Sequence, residues 1–239
     1  MSTVNGAWRG PNIVKEGLQL YLDAGSPNSY YSPTATTTWK DISGYENNAI
    51  LTNGAFYTGS NGGAMVFDGT DDYAAIANSS TINPNTGSFS IVCWVNSDPS
   101  AGGEGWDLWV AKRQGGSNGY YVGANNPSGV RFMLGNDGGS RTDTAFISYT
   151  FNTWAMFTAI LDRSANTQTI IRNNFDQTAS TTPSGGNYYN TGTLSVGADI
   201  GIGAYYVNGK VATTMLYGIA LTNSQVTQIY NATKARFGL

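Results

Sequence analysis

The chain contains no histidine. That absence removes the usual general base of neutral pH, the serine–histidine and cysteine–histidine nucleophile pairs, and the commonest nitrogen ligand of zinc. Cysteine occurs once, at Cys93, so no disulfide can close within the chain. Its place inside the apolar run Phe89–Val95 suits a buried thiol better than a reactive one. Charge is scarce too: only 11% of residues are Asp, Glu, Lys or Arg, and the net charge is −3. No cluster of Lys or Arg stands out, so the basic face that nucleic-acid phosphates require is not expected. The longest apolar run, Ile91–Val95, falls far short of the roughly 20 residues that cross a bilayer. The opening MSTVNGAWRGPNIV holds no signal-peptide core. The expectation is a soluble chain made in the cytoplasm, with no membrane insertion.

What the chain has in quantity is glycine (31 residues) and tyrosine (15 residues), with much Asn, Ser and Thr. That mixture suits short strands joined by many turns, and surfaces that hydrogen-bond rather than attract by charge. A single domain of this length removes roughly 70% of its unfolded surface from water and needs no staples. Residues 1–16 hold Gly6, Gly10 and Pro11, show no periodicity, and read as an N-terminal arm; residues 17–239 read as one domain. Exposed apolar side chains gain nothing in water, so Trp8, Ile13 and Val14 in the arm are expected to anchor the chain to a partner. The alternative is that the arm packs on its own domain.

Leu18–Leu22 alternates strictly, the mark of a strand with one buried face. Phe89–Val95 (FSIVCWV) and Trp154–Leu161 (WAMFTAIL) read as core strands, with Trp94 and Trp154 inside. Tyr205–Val211 has the form of a hairpin closed by Asn208-Gly209. Only one helix is convincing, over 222–237: Thr222 and Gln225 form a capping-box pattern, and Val226, Ile229 and Tyr230 share a face. Many short strands and one terminal helix predict an all-β, two-sheet antiparallel sandwich.

The stretch Ala64–Ile76 (AMVFDGTDDYAAI) organises the rest. Asp68-Gly69 between apolar runs signals a turn between antiparallel strands. Asp68, Asp71 and Asp72 are then either solvated turn residues or the carboxylates of a hard-cation site. Aromatic residues in Gly/Asn-rich segments form a second group: Trp106, Tyr188, Tyr189, Tyr205 and Tyr206. Sugar rings stack on such faces while neighbouring polar side chains bond the hydroxyls. Trp106 with Asp107, and Tyr188 with Tyr189 in GGNYYNTG, are the glycan-binding candidates. The pair Tyr205-Tyr206 reads as one ring in the core and one out.

Phe67–Tyr73 (FDGTDDY) resembles the hallmark segment of laminin-G-like jelly rolls in the concanavalin A-like lectin/glucanase superfamily. Phe89–Asp98 is similar to the central strand of laminin-G and pentraxin domains, and Trp154–Arg172 to the strand and hairpin arm that follow. Asn173-Asn174 stands where the family usually closes that hairpin with Asn-Gly. Leu194–Gly197, Asn208-Gly209-Lys210 and Ala220-Leu221-Thr222 resemble its later strands and helix start, so the likeness runs over about residues 17–238. It implies a jelly roll. It also implies calcium positions carried over from pentraxin-like relatives, at Asn118 in GGSNG and Asp199 in GAD. Ala212 stands where the family's usual Gly-x-Ile-Asp has its aspartate. The superfamily's glucanases carry paired acidic residues on one strand; here Glu104 and Asp107 around Trp106 come nearest, without a second glutamate.

GPNIVKEGLQLYLDAGSPNSY and NATKARFG further resemble stand-alone jelly rolls of tailed-phage virion proteins. The resemblance implies a non-enzymatic virion component located on the particle, partnered by other virion proteins or copies of itself, and contacting host-surface polysaccharide. No cofactor is certain, calcium being the one weighed. A carbohydrate-binding lectin-like module is the alternative, and a glycan-degrading enzyme the third reading.

Overall fold

Strand-forming alternation recurs along the chain because two stacked sheets each need an apolar inner face. The computed structural model describes residues 12–30, 36–99 and 105–239. Among them are sixteen strands: β1 (Leu18–Asp23), β2 (Thr38–Trp39), β3 (Ala49–Thr52), β4 (Phe56–Thr58), β5 (Ala64–Asp68), β6 (Tyr73–Ile76), β7 (Phe89–Ser97) and β8 (Trp106–Arg113). The second half adds β9 (Gly119–Asn125), β10 (Gly129–Gly135), β11 (Arg141–Asp143), β12 (Ala155–Asp162), β13 (Thr167–Arg172), β14 (Gln177–Thr181), β15 (Leu194–Val196) and β16 (Asn208–Tyr217). One α-helix, α1 (Asn223–Thr233), follows the last strand.

The strands make two antiparallel eight-stranded sheets. The first runs β14-β13-β12-β7-β16-β5-β4, with β1 also paired to β16; the second runs β11-β10-β9-β8-β15-β6-β3-β2. Between them lies the main core, where Trp39, Phe67, Phe89, Trp109, Phe132 and Phe157 are fully buried. The result is the all-β sandwich with one short C-terminal helix that the residue pattern predicts.

β7 explains why one strand reads as an unbroken apolar run. Phe89, Ile91, Cys93 and Val95 enter the main core, while Val92 and Trp94 enter a second cluster on the sheet's outer face. That outer cluster is closed by the ends of the chain: Ile13 and Val14 on one side, Val226, Ile229 and Phe237 on the other. The Trp94 ring stacks on Phe237 at 4.1 Å, and its Nε1–H donates to Thr233 Oγ1 at 2.9 Å. Thr222 and Gln225 make the reciprocal capping box that starts α1. Trp154, by contrast, is only half-buried, with its ring tilted on Phe237 at 4.7 Å, because it precedes β12 instead of lying in it.

Two turn signals work differently from their local appearance. Asp68-Gly69 does not close a hairpin: β5 belongs to the first sheet and β6 to the second, so the turn carries the chain across the sandwich. Side chains close it in place of a ladder. Asp68 Oδ1 accepts from the Thr70 N–H at 2.8 Å, and Asp72 Oδ2 accepts from the Asp68 N–H at 3.1 Å. Asn208-Gly209 is likewise no hairpin turn but the start of β16, paired with β5 and β7. A Cβ on Gly209 would lie 2.4 Å from Asn96 O, so glycine serves close strand approach here.

Candidate functional site

Whether a side chain on β8 faces the core or solvent depends on a bulge. The register to β9 shifts between Leu108 and Val110, so Trp109 and Val110 both turn into the main core. Trp106, Leu108, Ala111 and Arg113 are left on the outer face of the second sheet. β9 and β10 keep plain alternation and add Tyr121, Arg131 and Met133 to the same face. A Cβ on Gly123 would lie 2.2 Å from Asp107 O, so β9 needs glycine where the bulged strand passes closest.

These residues line a hollow of about 250 Å³. Its floor is a small apolar cluster of Leu108, Tyr121 and Met133, flanked by the half-buried rings of Trp106 and Tyr205, 6.1 Å apart. Three guanidinium groups stand around it. The Arg131 guanidinium lies over two neighbouring rings, 5.0 Å from Trp106 and 4.6 Å from Phe146. Arg141 holds Asp143 through two bonds, Nε to Oδ1 at 2.7 Å and Nη2 to Oδ2 at 2.9 Å. Arg113 lies over Tyr121 at 5.1 Å and is ion-paired with Asp199. Burial lowers the pKa of Arg131 from its usual value, against the opposing pull of Asp143.

The aromatic candidates divide. Trp106 is in the hollow, and so is Tyr205. Tyr205 and Tyr206 are both half-buried, so the expectation of one ring in the core and one out is corrected. Asp107 is not: it alternates inward, is fully buried, and its carboxyl is pushed up to about 7 by burial, with the Ser97 side chain and the Asn208 N–H (3.3 Å) opposing. It is therefore corrected to an interior group that offers nothing to a sugar. Glu104, its expected neighbour in a carboxylate pair, lies outside the described residues. Tyr188 is corrected in the same sense. It is fully buried in the main core, its hydroxyl donates to Ser184 O, and Arg163 covers its ring at 4.4 Å. Tyr189, its neighbour, is 41% exposed and does not line the hollow. Buried Lys112 explains the inward pull on this loop. Its Nζ reaches Asn78 Oδ1, Asn190 O, Asn190 Oδ1 and Gly192 O, all within 3.0 Å.

The metal candidates divide as well. Asp199 is fully buried and spent on Arg113 and on the Gly201 N–H at 3.1 Å, so it is corrected to an ion-pair partner. Asn118 donates to Tyr189 O at 3.2 Å and stays half-buried. Asp68, Asp71 and Asp72 do come together, each offering an oxygen within 4.8 Å of the others. Burial and the neighbouring Asp68 raise the Asp72 carboxyl above its usual pKa. Three carboxylate oxygens are fewer than the six to eight ligands calcium takes, so backbone carbonyls or water would have to complete such a shell.

Of the anchoring residues, Trp8 lies outside the described residues. Ile13 and Val14 are buried in the outer cluster of the first sheet, and Val14 O accepts from the Tyr217 hydroxyl at 3.2 Å. Their expected role as partner anchors is corrected to self-packing. No helix among the described residues is long and apolar enough to cross a membrane.

The sequence matches the model of the Laminin_G_3 family, described as concanavalin A-like lectin/glucanases superfamily, over residues 68–227. The chain belongs to that superfamily. Among curated protein sequences nothing matches it. Solved structures share the fold at low identity. The binding domain of Paraclostridial Mosquitocidal Protein 1 superposes with a TM-score of 0.70 at 15% identity, covering 91% of this chain and 52% of that one. The binding domain of botulinum neurotoxin DC in complex with rat synaptotagmin II gives 0.69 at 15% identity, covering 92% and 52%. The same toxin's binding domain in complex with SialylT gives 0.63 at 14% identity, again covering 92% and 52%. The chain therefore spans about half the length of these structures, and at this identity the likeness is one of fold.

Proposed function

We propose that the chain is a non-catalytic, lectin-like binding module that seats a glycan in the hollow on the outer face of its second sheet. The observation that carries this reading is the hollow itself: an apolar floor, two half-buried aromatic rings and a rim of guanidinium donors. Such a mixture of flat apolar faces and fixed donors is what recognises a sugar ring and its oxygens. The absence of histidine and the burial of Asp107 favour binding over catalysis. The structural neighbours are named as binding domains, one in complex with rat synaptotagmin II and one with SialylT, which agrees with a binding role.

The setting we propose is the surface of a tailed-phage particle, with other virion proteins or copies of this chain as neighbours and host polysaccharide as the ligand's source. It is supported by the resemblance of the two terminal segments to stand-alone phage jelly rolls. An attachment role then falls to Trp8, since Ile13 and Val14 pack inward. A glycan array probed with the protein in multivalent form tests the binding reading: retention of a defined subset of glycans is expected, and a blank array overturns it. Antibody labelling of purified particles tests the setting; unlabelled particles overturn that part alone.

A further inference from the structure

We propose that the unit seated in the hollow is an acidic sugar, one whose ring carries a carboxylate. This rests on the reading of the hollow as a glycan seat and adds the charge of what fills it.

Three guanidiniums face two carboxylates here. Asp199 is fully buried and committed to Arg113. Asp143 alone serves both of the others: Arg141 takes it through two bonds, and Arg131 reaches the same Oδ2 through Nη1 at 3.2 Å. Arg131 has no other ionic or hydrogen-bonded partner among the described residues, and its buried Nε lacks any acceptor. An unmet buried donor is costly, because it has given up water and gained no acceptor.

The chain as a whole is acidic, with a net charge of −3, yet three of its twelve basic residues gather at this one hollow. The positive surplus is therefore local. A neutral hydroxyl could accept a hydrogen bond from Arg131 but would leave that surplus standing. A carboxylate cancels it and matches the planar fork of a guanidinium, which makes charge-assisted, two-pronged bonds. Contact with the Trp106 and Phe146 rings restrains the Arg131 side chain in advance, so less of its freedom is lost on binding. Asp143 already shows the chemistry, being a carboxylate held between two guanidiniums.

Size narrows the ligand further. At about 250 Å³ the hollow lies below the roughly 300–1,000 Å³ of pockets that enclose drug-sized ligands. It has room for one ring, a terminal or branch residue, with the half-buried ring of Trp106 beside it.

The test is a set of uronate-bearing and sialylated glycans arrayed beside the same glycans with their carboxyl groups reduced to alcohols, probed with multivalent wild-type protein and with Arg131→Gln. At least tenfold stronger retention of the acidic member of a pair is expected, weakening as salt is raised, with the preference lost in Arg131→Gln. Should that variant melt early, Arg141→Gln is read in its place. Equal retention of acidic and reduced glycans overturns the inference and leaves the lectin reading standing. No retention of either form overturns both.

Discussion

The outer faces of the two sheets carry similar apolar side chains and meet opposite fates. On the first sheet Val92, Trp94, Met156, Ile171 and Met215 point away from the main core, and the chain's own ends close over them. Ile13 and Val14 arrive from one terminus, and Val226, Ile229 and Phe237 from the other, so this face becomes a second core. On the second sheet Leu108, Ala111, Tyr121 and Met133 point outward in the same way, and the partly buried apolar side chains packed on them are Trp106 and Tyr205. The arginines stand around them and a hollow is left between. Segments packed over a sheet are part of the fold, whereas a face ringed by side chains leaves a hollow that a ligand can enter. The difference lies in what lies over each sheet, not in the strands.

Substitutions should separate the two faces. The largest effect is expected at Trp94, buried between β7 and the helical end. Trp94→Ala should cost roughly 3–5 kcal/mol, through lost burial and the cavity left behind, read as a lower denaturation midpoint. An unchanged midpoint would mean that the covered face is not a second core.

Next comes Asp107, the buried acid behind the hollow. Its carboxyl titrates near 7 in the folded protein, above the roughly 3.9 of an unfolded aspartate, so the native state holds the proton more tightly. The stability this group contributes is complete below about pH 4 and is lost as pH rises through 7. Asp107→Asn should remove that loss, stabilising the protein at pH 8 by up to about 4 kcal/mol at 1.36 kcal/mol per unit. Stability curves from pH 4 to 8 that keep the same shape in both proteins would contradict the assignment.

Ile13→Ala, at the lid of the covered face, should cost about 2 kcal/mol, the low end for a buried aliphatic truncation. A midpoint equal to wild type would return Ile13 to the role of an outward anchor. Smallest of all in stability is Trp106→Ala on the open face, expected within about 1 kcal/mol because the ring is only half-buried. A loss comparable to that of Trp94→Ala would mean that Trp106 is structural.

The sequence carried the fold well where one residue type has one use. Alternation marked β1, the double-faced run marked β7, and the Thr222–Gln225 pair marked the start of α1. It misled where one signal has two physical causes. Asp68-Gly69 and Asn208-Gly209 both look like hairpin turns; the first crosses between sheets, and the second needs glycine because β16 and β7 approach closely. The hollow was legible in part. The alternation in Val130–Leu134 already places Arg131 and Met133 on one face, a signal left unused. The bulge at Trp109 was not legible, and it is what sets Arg113 outward and Lys112 inward. Tyr188 sits in a stretch that reads as a loop, and distant partners hold that loop inward: Asn85 O accepts from the Tyr188 N–H, and Lys112 binds Asn190 and Gly192.

The central claim is that the uncovered face of the second sheet is the ligand seat. The most direct measurement compares glycan retention by wild type and Trp106→Ala, presented in the same multivalent form and matched for folded fraction by their melting curves. The variant should melt close to wild type and lose retention at least tenfold. Retention unchanged in a folded Trp106→Ala protein would contradict it and move the seat elsewhere on the sandwich.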